Sequence, residues 1–430
     1  MKISRREILT GLSGLAAAGV ASANSSGSAQ SSALHVPASR PSLSSFASLS
    51  AAPPLPAKSD FAIPDGVTYL NGAYIHPMPN VAVDALREYG ERRSRPGAAT
   101  KPLSNVDIKA EFAALINAKP SEISFVPNTS TGENLVVNGL GIPETKGNVV
   151  TDALHFEGAL LHLGELQKRN GLDLRIVMPR DWRVELRDME RAVDKNTKLV
   201  EISLVAMDNG FQHDLKAVCD LAHAHGAYVY ADIVQAAGNT PIDVRASGVD
   251  FCACSSFKWL MGDFGLGFLF VREDLLDRVI GRQQYGYFQA RKLESHLLPG
   301  EPPAPAPYTW ELQSNATGHF EVGTNAIGVS LILAESLPYI RRLGVENIQA
   351  YRQPLLKRLR EEMPRLGFKP LTPAESTSAL ISFAVQDSKA VAARLEKANV
   401  NVRVGQHFMR VSPSVFNDMK DIDKLLEALS

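Results

Sequence analysis

Cysteine is scarce in this sequence of 430 residues, which has only Cys219, Cys252 and Cys254. Three cysteines are too few for a disulfide scaffold, and none of them has companions at the spacing of a zinc site. Positive charge is not in excess either, because 45 Lys and Arg stand against 46 Asp and Glu. The attraction that drives sequence-independent nucleic-acid binding is therefore missing, and we expect no nucleic-acid partner.

Long apolar runs are also missing. After the first two dozen residues, no uninterrupted apolar stretch is long enough to span a bilayer. Hydrophobic residues nevertheless make up 45% of the chain and charged residues 21%, which is the balance of a soluble protein with a sizeable core. This composition excludes wholesale disorder, since disordered chains lack the apolar content that offsets the entropy of ordering.

Residues 1–23 have the pattern of an export signal. A basic start contains Arg5 and Arg6, a mildly apolar stretch follows, and residues 21–23 form a small-residue cleavage site. The arginine pair resembles the twin-arginine signal. We therefore expect a twin-arginine-type signal peptide, a periplasmic enzyme and no membrane contact after export. An ordinary secretory peptide and an untargeted amphipathic start are the alternatives.

The chain after this signal divides by composition and periodicity. Residues 24–58 are rich in Ser, Ala and Pro and predict a linker. From residue 81 to about 282, strand-like runs alternate with amphipathic helical patterns, which predicts a mainly parallel sheet between helices. Later helical patterns and short strands predict a smaller α+β domain. The predicted boundaries are 59–77 for an N-terminal segment and access loop, 78–319 for the large domain and 320–430 for the small one.

Two sets of residues are candidate anion sites. Ser130 and Thr131 stand between a strand and an apolar helix, where hydroxyl and backbone N–H groups can hold a phosphate. Plain helix capping is the alternative for both residues. Arg410 lies inside an apolar strand of the predicted small domain. A guanidinium there needs a carboxylate partner, from either a structural Asp or Glu or a substrate.

Two further pairs suit a pyridine cofactor. Asp232 ends an apolar strand and Gln235 follows about one helical turn later. A carboxylate at that place can hold a pyridinium N–H, and an amide can reach a neighbouring ring oxygen. Ser255 and Lys258 follow the next apolar strand, and glycines that allow close approach come after them. A lysine set there suits a Schiff base. The alternatives are a helix-capping Asp and an exposed lysine.

In this order, the four signals resemble the pyridoxal-phosphate enzymes of fold type I, in the class V aminotransferase family. The resemblance runs from about Phe61 to the C-terminus. Its most specific parts are Asp-x-x-Gln at Asp232 and Gln235, Ser-x-x-Lys at Ser255 and Lys258, and Gly265-Leu266-Gly267. Asn209-Gly210-Phe211 and the segment from Met409 to Ser414 are most similar to the isopenicillin N epimerase branch.

The resemblance implies a role for each matching residue. Lys258 would form the Schiff base and move the Cα proton, and Asp232 would keep the pyridine nitrogen protonated. The other implied cofactor contacts are Gln235 and Asn209 at the phenolic oxygen, Ser130, Thr131 and Ser255 at the phosphate, and Thr324 at the partner subunit's phosphate. The implied substrate contacts are Asn71 and Gly72 in the access loop and Arg410 at the α-carboxylate. A homodimer with shared active sites follows from these roles.

Two adjacent residues are candidates for covering the cofactor ring. The family places a His after a strand at this point, and the matching position is His155. Phe156 is adjacent, and either an imidazole or an aromatic face could cover the ring. We expect His155. The spacing of His223 and His225 is compatible with a metal, but the pair lies at a predicted helix end without a nearby set of carboxylate ligands, and we expect no metal site.

The resemblance implies the cofactor, pyridoxal 5′-phosphate, more firmly than the reaction. We expect an exported enzyme that acts, through a Schiff base and a quinonoid, on the amino group of an amino acid or peptide-like metabolite. A siderophore precursor is one such metabolite, because the chain resembles exported enzymes of pyoverdine maturation. A pyridoxal-phosphate-dependent epimerase or C–S lyase is the alternative. An exported cofactor-binding protein is the non-enzymatic alternative, which Lys258 and Asp232 together argue against.

A cysteine desulfurase is not expected. Such an enzyme needs a thiolate on a mobile loop in the C-terminal third, and no cysteine occurs from Ser255 to Ser430. Cys252 and Cys254 alternate with apolar residues in a predicted strand, where burial raises a thiol pKa and blocks access.

Replacing both Arg5 and Arg6 with Lys should leave active enzyme in the cytoplasm, because the twin-arginine route recognises the arginine pair. Fractionation of cells that express the wild type and the double variant measures this. Undiminished export of the variant would show that the general secretory route is used or that the segment is not a signal.

Overall fold

The computed structural model describes residues 54–95 and 104–430, so the predicted signal peptide and most of the predicted linker lie outside the described residues. The strands of the described part are β1 Thr68–Tyr69, β2 Ile123–Val126, β3 Asn148–Asp152, β4 Asp173–Val177, β5 Thr197–Ser203, β6 Tyr228–Asp232, β7 Phe251–Ser255, β8 Gly267–Val271, β9 Ala290–Ser295, β10 Tyr308–Leu312, β11 Ile381–Ala384, β12 Val400–Asn401, β13 Arg403–Val404 and β14 Phe408–Val411.

Helices separate most of these strands. They are α1 Asn80–Arg93, α2 Ile108–Leu115, α3 Thr129–Gly139, α4 Glu157–Asn170, α5 Leu186–Ala192, α6 Leu215–Ala224, α7 Val244–Ser247, α8 Ala316–Phe320, α9 Ile327–Leu343, α10 Val345–Glu362, α11 Ser388–Lys397 and α12 Met419–Leu429. No helix among the described residues combines the length and the apolar character needed to cross a membrane.

A seven-stranded sheet organises the larger part of the chain. Its strand order is β2-β8-β7-β6-β5-β3-β4. Every neighbouring pair from β7 to β4 is parallel, whereas β8 runs antiparallel to both β2 and β7. This arrangement confirms the predicted α/β fold with a mainly parallel sheet.

Both faces of this sheet are buried, and the side chains of each strand alternate between them. In β7, Cys252 and Cys254 join the apolar cluster on one face, whereas Phe251 and Ala253 join the cluster on the other. This period of two is the geometry of an extended strand. Burial on both faces explains why the strands are near-continuous apolar runs in the sequence.

A smaller antiparallel sheet of order β11-β14-β13 lies in the C-terminal part. Its apolar side chains pack with residues of α10, α11 and α12 in a separate core cluster that also includes Leu70. The N-terminal segment joins this part through the parallel pairing of β1 with β12. The described residues, 54–95 and 104–430, belong to one compact unit, and the predicted boundary between residues 319 and 320 stays a prediction.

A hairpin interrupts the pattern between the two sheets. β9 and β10 pair antiparallel, and the Pro-rich residues 298–307 form the loop that joins them. The loop was predicted, because proline disrupts both helices and inner strands. The hairpin carries exposed aromatic side chains, among them Trp310 and Tyr308.

Phe112→Ala should destabilise the fold by about 3–5 kcal/mol, because it deletes a buried ring. Phe112 of α2 is buried and stacks on Phe268 of β8, with ring centroids 4.1 Å apart. Urea unfolding followed by circular dichroism measures the change in the free energy of unfolding. Leu161→Ala on the exposed side of α4 is the control. Equal stability of the two variants would show that the Phe112 ring does not support the core.

Candidate active site

A cavity of about 190 Å³ opens at the carboxyl ends of β6 and β7. In open α/β sheets, this edge is where ligands bind. The lining residues come from the ends of the sheet strands, the start of α3 and the loop after β7. They are Asn128, Thr129, Ser130, Phe156, Ser203, Val205, Met207, Asp232, Val234, Gln235, Ser255, Phe257 and Lys258.

Lys258 lines this cavity on the loop that follows β7. Burial lowers its pKa to about 8, although the negative charge of Asp232 partly opposes that shift. Arg410 lowers the lysine pKa further, because the two cations repel. An amine that is partly neutral near physiological pH is a competent nucleophile and proton carrier.

Asp232 ends β6 and also lines the cavity. The Val234 N–H donates to its Oδ1 at 2.8 Å. Burial raises the pKa of Asp232, and the backbone hydrogen bond, His155 and Lys258 oppose that rise. A buried carboxyl group facing a cavity is suited to a bound cation, such as a pyridinium N–H.

Hydroxyl groups cluster where α3 begins. The Thr129 N–H donates to Ser255 Oγ at 3.0 Å, the Ser255 N–H donates to Thr129 Oγ1 at 2.9 Å, and the two hydroxyl oxygens lie 2.8 Å apart. Ser130 lines the cavity beside them. Thr131 does not line the cavity, and its N–H and its hydroxyl both donate to Asn128 Oδ1, at 2.8 and 3.1 Å. Thr129, which sequence reasoning missed, stands one residue nearer the strand than the predicted pair.

Gln235 has a fixed orientation in the cavity wall. The Trp259 Nε1–H donates to its Oε1 at 2.9 Å, and its Nε2 donates to the carbonyl of Ala73 at 3.1 Å. The amide nitrogen retains a second hydrogen, which can serve a ring oxygen. The sequence analysis did not identify Trp259 as part of the site, although its position directly after Lys258 could have indicated it.

Arg410 is completely buried in β14. Its Nη1 donates to the carbonyl of Met207 at 2.8 Å, and Met207 lines the cavity. Its Nε and Nη2 have no hydrogen-bond partner in the described part of the chain. Burial lowers the Arg410 pKa to about 10. Unpaired guanidinium hydrogens at this depth favour a substrate carboxylate over a structural partner.

Of the two candidates for covering the ring, the structure places Phe156 in the cavity lining. The His155 side chain is fully buried and is not a lining residue, and its Nδ1 lies 2.8 Å from Ser203 Oγ and its Nε2 3.5 Å from Glu201 Oε1. The Phe156 N–H also donates to Ser203 Oγ at 3.2 Å. Ser203, which binds the imidazole, is itself a lining residue. The positions of the two side chains favour Phe156 over the expected His155 as the residue that covers the ring.

Asn209 does not reach the cavity. It is buried, its Nδ2 donates to the Trp182 carbonyl at 2.7 Å, and its Oδ1 accepts from the Phe211 N–H at 3.0 Å. Gly210 between them has a φ of +71°, a conformation that suits glycine. The amide therefore stabilises a tight turn, and the structure does not place it at a phenolic oxygen.

The predicted access loop packs beside the cavity without lining it. A Cβ on Gly72 would lie 3.3 Å from the Trp259 ring, so the loop approaches the tryptophan closely. Asn71 donates from Nδ2 to Asn401 Oδ1 at 3.1 Å, and its buried Oδ1 has no partner among residues 54–95 and 104–430. Thr324 is exposed and lies 2.7 Å from the Tyr287 hydroxyl; its role at a partner subunit stays a prediction.

The histidines singled out for a metal have other partners. His223 Nε2 lies 2.8 Å from Asp250 Oδ2, and His225 Nδ1 lies 3.0 Å from the Leu221 carbonyl. No group of three or more His, Cys, Asp and Glu side chains in the described segments is arranged to hold a metal ion.

The chemistry of the lining fits pyridoxal phosphate. Hydroxyl groups at a helix N-terminus suit the phosphate, Asp232 suits the pyridine nitrogen, and Lys258 suits the aldehyde.

A model of the family described as aminotransferase class-V matches residues 94–425. The chain belongs to the class V aminotransferase family. Its cofactor is pyridoxal phosphate.

Curated relatives and solved structures agree with this assignment. The chain is 27% identical over 391 residues to a cysteine desulfurase of Shigella sonnei, covering 84% of this chain and 92% of that protein. The apo structure of a cysteine desulfurase from Thermococcus onnurineus superposes with a TM-score of 0.75 and 26% identity, covering 86% of this chain and 95% of that one. A cystine C–S lyase solved with its product cysteine persulfide shares the fold, with a TM-score of 0.71, 21% identity and coverages of 85% and 97%.

Lys258→Ala should abolish the covalent link that borohydride reduction creates between protein and cofactor, because the variant lacks the amine at the cavity. Mass spectrometry of the reduced protein measures the link. The exposed Lys216→Ala is the control and should retain it. Attachment of the cofactor to the Lys258 variant would assign the Schiff base to another lysine.

Proposed function

We propose that this enzyme cleaves the C–S bond of a sulfur-containing α-amino acid by elimination, without using a protein thiol. The observation that carries the proposal is a cavity lined by Lys258, Asp232 and hydroxyl groups, with the guanidinium of Arg410 bonded to the lining residue Met207, in a protein whose three cysteines are all buried. The cysteine desulfurase relatives support sulfur chemistry. They favour the C–S lyase alternative over the expected action on an amino group alone.

The cysteines are unsuited to attack a substrate. Burial raises the pKa of Cys219 to about 12 and raises the pKa values of Cys252 and Cys254 well above the ordinary thiol value. Thiols in that state are neither ionised nor accessible at neutral pH. Sulfur transfer through a cysteine persulfide on this chain is therefore not supported by any of the three.

Elimination needs no such thiol. In the net reaction, the Cα–H and Cβ–S bonds break and the sulfur leaves as a thiol or persulfide. The rest of the substrate, which keeps its amino group, reacts with one water and gives ammonia and a 2-oxo acid. Pyridoxal phosphate, when bound, supplies an electron sink for the carbanion that loss of the Cα proton creates.

The protein's own groups position the substrate and move its proton. Arg410 can bind the α-carboxylate with its two unpaired N–H directions. Lys258, with a pKa lowered to about 8, can accept the Cα proton and return it to the leaving sulfur. Asp232 can keep a proton on the pyridine nitrogen through their hydrogen bond. Phe156 and Val234 contribute apolar surface to the cavity wall.

Replacing all three cysteines with Ala should leave turnover of cystine and cysteine conjugates within about threefold of wild type, since the thiols lie in the core and not at the reacting atoms. The assay follows release of the 2-oxo acid together with the thiol or persulfide, and circular dichroism confirms that the variant is folded. Lys258→Ala should abolish both products.

Two outcomes would contradict the proposal. A folded triple-alanine variant that loses sulfur release while wild type forms a protein persulfide would show a desulfurase. Conversion of the cofactor to its pyridoxamine form by ordinary amino acids, with no sulfide released, would show amino-group transfer, the reaction expected first.

Export and dimerisation are part of the proposal on sequence grounds. The arginine pair and cleavage site at residues 1–23 support a periplasmic location, and the match of Thr324 to a partner-facing segment supports a homodimer with shared sites. A siderophore precursor as substrate stays a prediction.

A further inference from the structure

Arg352 of α10 is a charged side chain that is completely buried in the core. The other buried residues of this helix are all apolar. The Arg352 Nε and Nη1 atoms have no hydrogen-bond partner among the described residues. Burial lowers the Arg352 pKa to about 9, and no carboxylate of the described residues opposes that shift. The guanidinium is therefore still a cation at neutral pH, and its burial without an opposite charge costs stability that an apolar side chain of similar size would not cost.

The guanidinium contacts two segments beside the cavity. Its Nη2 donates to the main-chain carbonyl of Asn239 at 2.7 Å and lies 3.3 Å from Asn239 Oδ1. Its Cζ lies over the Trp259 ring, 5.8 Å from the ring centroid, which is within the range of a cation–π interaction. A Cβ on Gly238 would lie 2.6 Å from the Trp259 carbonyl oxygen, so the turn after β6 and the loop after β7 are closely packed. Arg352 thus contacts both segments where they meet.

Both residues that Arg352 contacts also hold Gln235. Asn239 Nδ2 donates to the main-chain carbonyl of Gln235 at 3.0 Å, and the Trp259 Nε1–H donates to the Gln235 side-chain Oε1 at 2.9 Å. The first bond fixes the backbone of Gln235, and the second fixes the direction of its amide. Because Gln235 lines the cavity, these contacts lead in two steps from a buried charge in α10 to the wall of the cofactor site.

We propose that Arg352 is a positioning residue for Gln235 and acts on it through Trp259 and Asn239. The guanidinium holds the indole ring and the turn in place, so the Gln235 amide keeps the orientation in which the second hydrogen of Nε2 can donate to the ring oxygen of the bound cofactor. A donor there stabilises the ionised oxygen and disfavours protonation of the cofactor. The proposal rests on the cofactor site and not on which substrate bond the enzyme breaks.

One other titratable group packs against this arrangement. The His76 ring lies 5.8 Å from the Trp259 ring, between centroids, and is buried. Burial lowers the His76 pKa to about 4, and the charge of Arg352 lowers it further against the opposing hydrogen bond to Pro77. His76 is therefore neutral above about pH 5. The charged groups at the cavity, Asp232, Lys258 and Arg410, are the same in every variant used below.

The visible absorbance of the bound cofactor tests the positioning role, because its pH midpoint reports protonation of the cofactor. Arg352→Met removes the cation and keeps an unbranched side chain. Its midpoint should rise by about half a pH unit or more, since the ring oxygen loses an oriented donor. Leu356→Ala is the control, because it removes a buried side chain of the same helix from the C-terminal core cluster. It should lower the stability without moving the midpoint.

A double-mutant cycle tests whether the effect passes through Gln235. Gln235→Leu should raise the midpoint at least as much as Arg352→Met does, and the double variant should match Gln235→Leu alone. Trp259→Phe keeps an aromatic ring but lacks the indole N–H, so it should also raise the midpoint. This variant and Gln235→Leu test the same route if Arg352→Met does not fold.

Two results would overturn the proposal. One is an unchanged midpoint in folded, cofactor-loaded Arg352→Met, Trp259→Phe or Gln235→Leu; for Arg352→Met, it would show that the arginine only stabilises the fold. The other is a double variant whose shift is the sum of the two single shifts, which would show that the charge acts on the cofactor independently of Gln235.

Discussion

The parallel pairing of β6 with β7 brings an acid and a base to one buried edge. Asp232 lies opposite Ala253 in this pairing, and Lys258 follows shortly after β7 ends. Burial raises the pKa of the aspartate and lowers that of the lysine, while their mutual attraction opposes both shifts. The cavity thus contains an amine, that of Lys258, which is partly neutral. When this amine is protonated, its charge stabilises the Asp232 carboxylate. The rest of the site depends on this balance.

Much of the fold was accessible from the sequence because the strands are buried on both faces. Apolar runs predicted a strand before Ser130, one ending at Asp232 and one before Lys258, and these are β2, β6 and β7. Later helical patterns predicted helices in the C-terminal part, where α9 and α10 lie. The reversed direction of β8 and the pairing of β9 with β10 were not predicted. Strand direction and pairing depend on contacts between distant segments, which single-sequence periodicity does not contain.

The site residues divide in the same way. Asp232, Ser255 and Lys258 were recognisable because each stands at the end of an apolar run, where chain direction fixes its place. His155 and Phe156 are adjacent in sequence. In the fold, Ser203 of β5 binds the His155 imidazole and the Phe156 N–H, and the Phe156 side chain lines the cavity. Thr131 and Asn209 likewise bind to local partners, Asn128 and Trp182, that the pattern of residue types did not indicate.

Glu133 of α3 and Glu201 of β5 show the limit of family resemblance most clearly, because both are buried and neither belongs to the motifs that identify the cofactor. An unfolded glutamate ionises near pH 4.3, whereas burial raises the pKa of both residues in the folded protein. The folded state therefore binds more protons above that pH, and its stability falls as pH rises toward the raised pKa values. A chain that keeps these two buried carboxyls, whose ion-pair partners among the described residues are histidines, therefore retains them at a cost to stability.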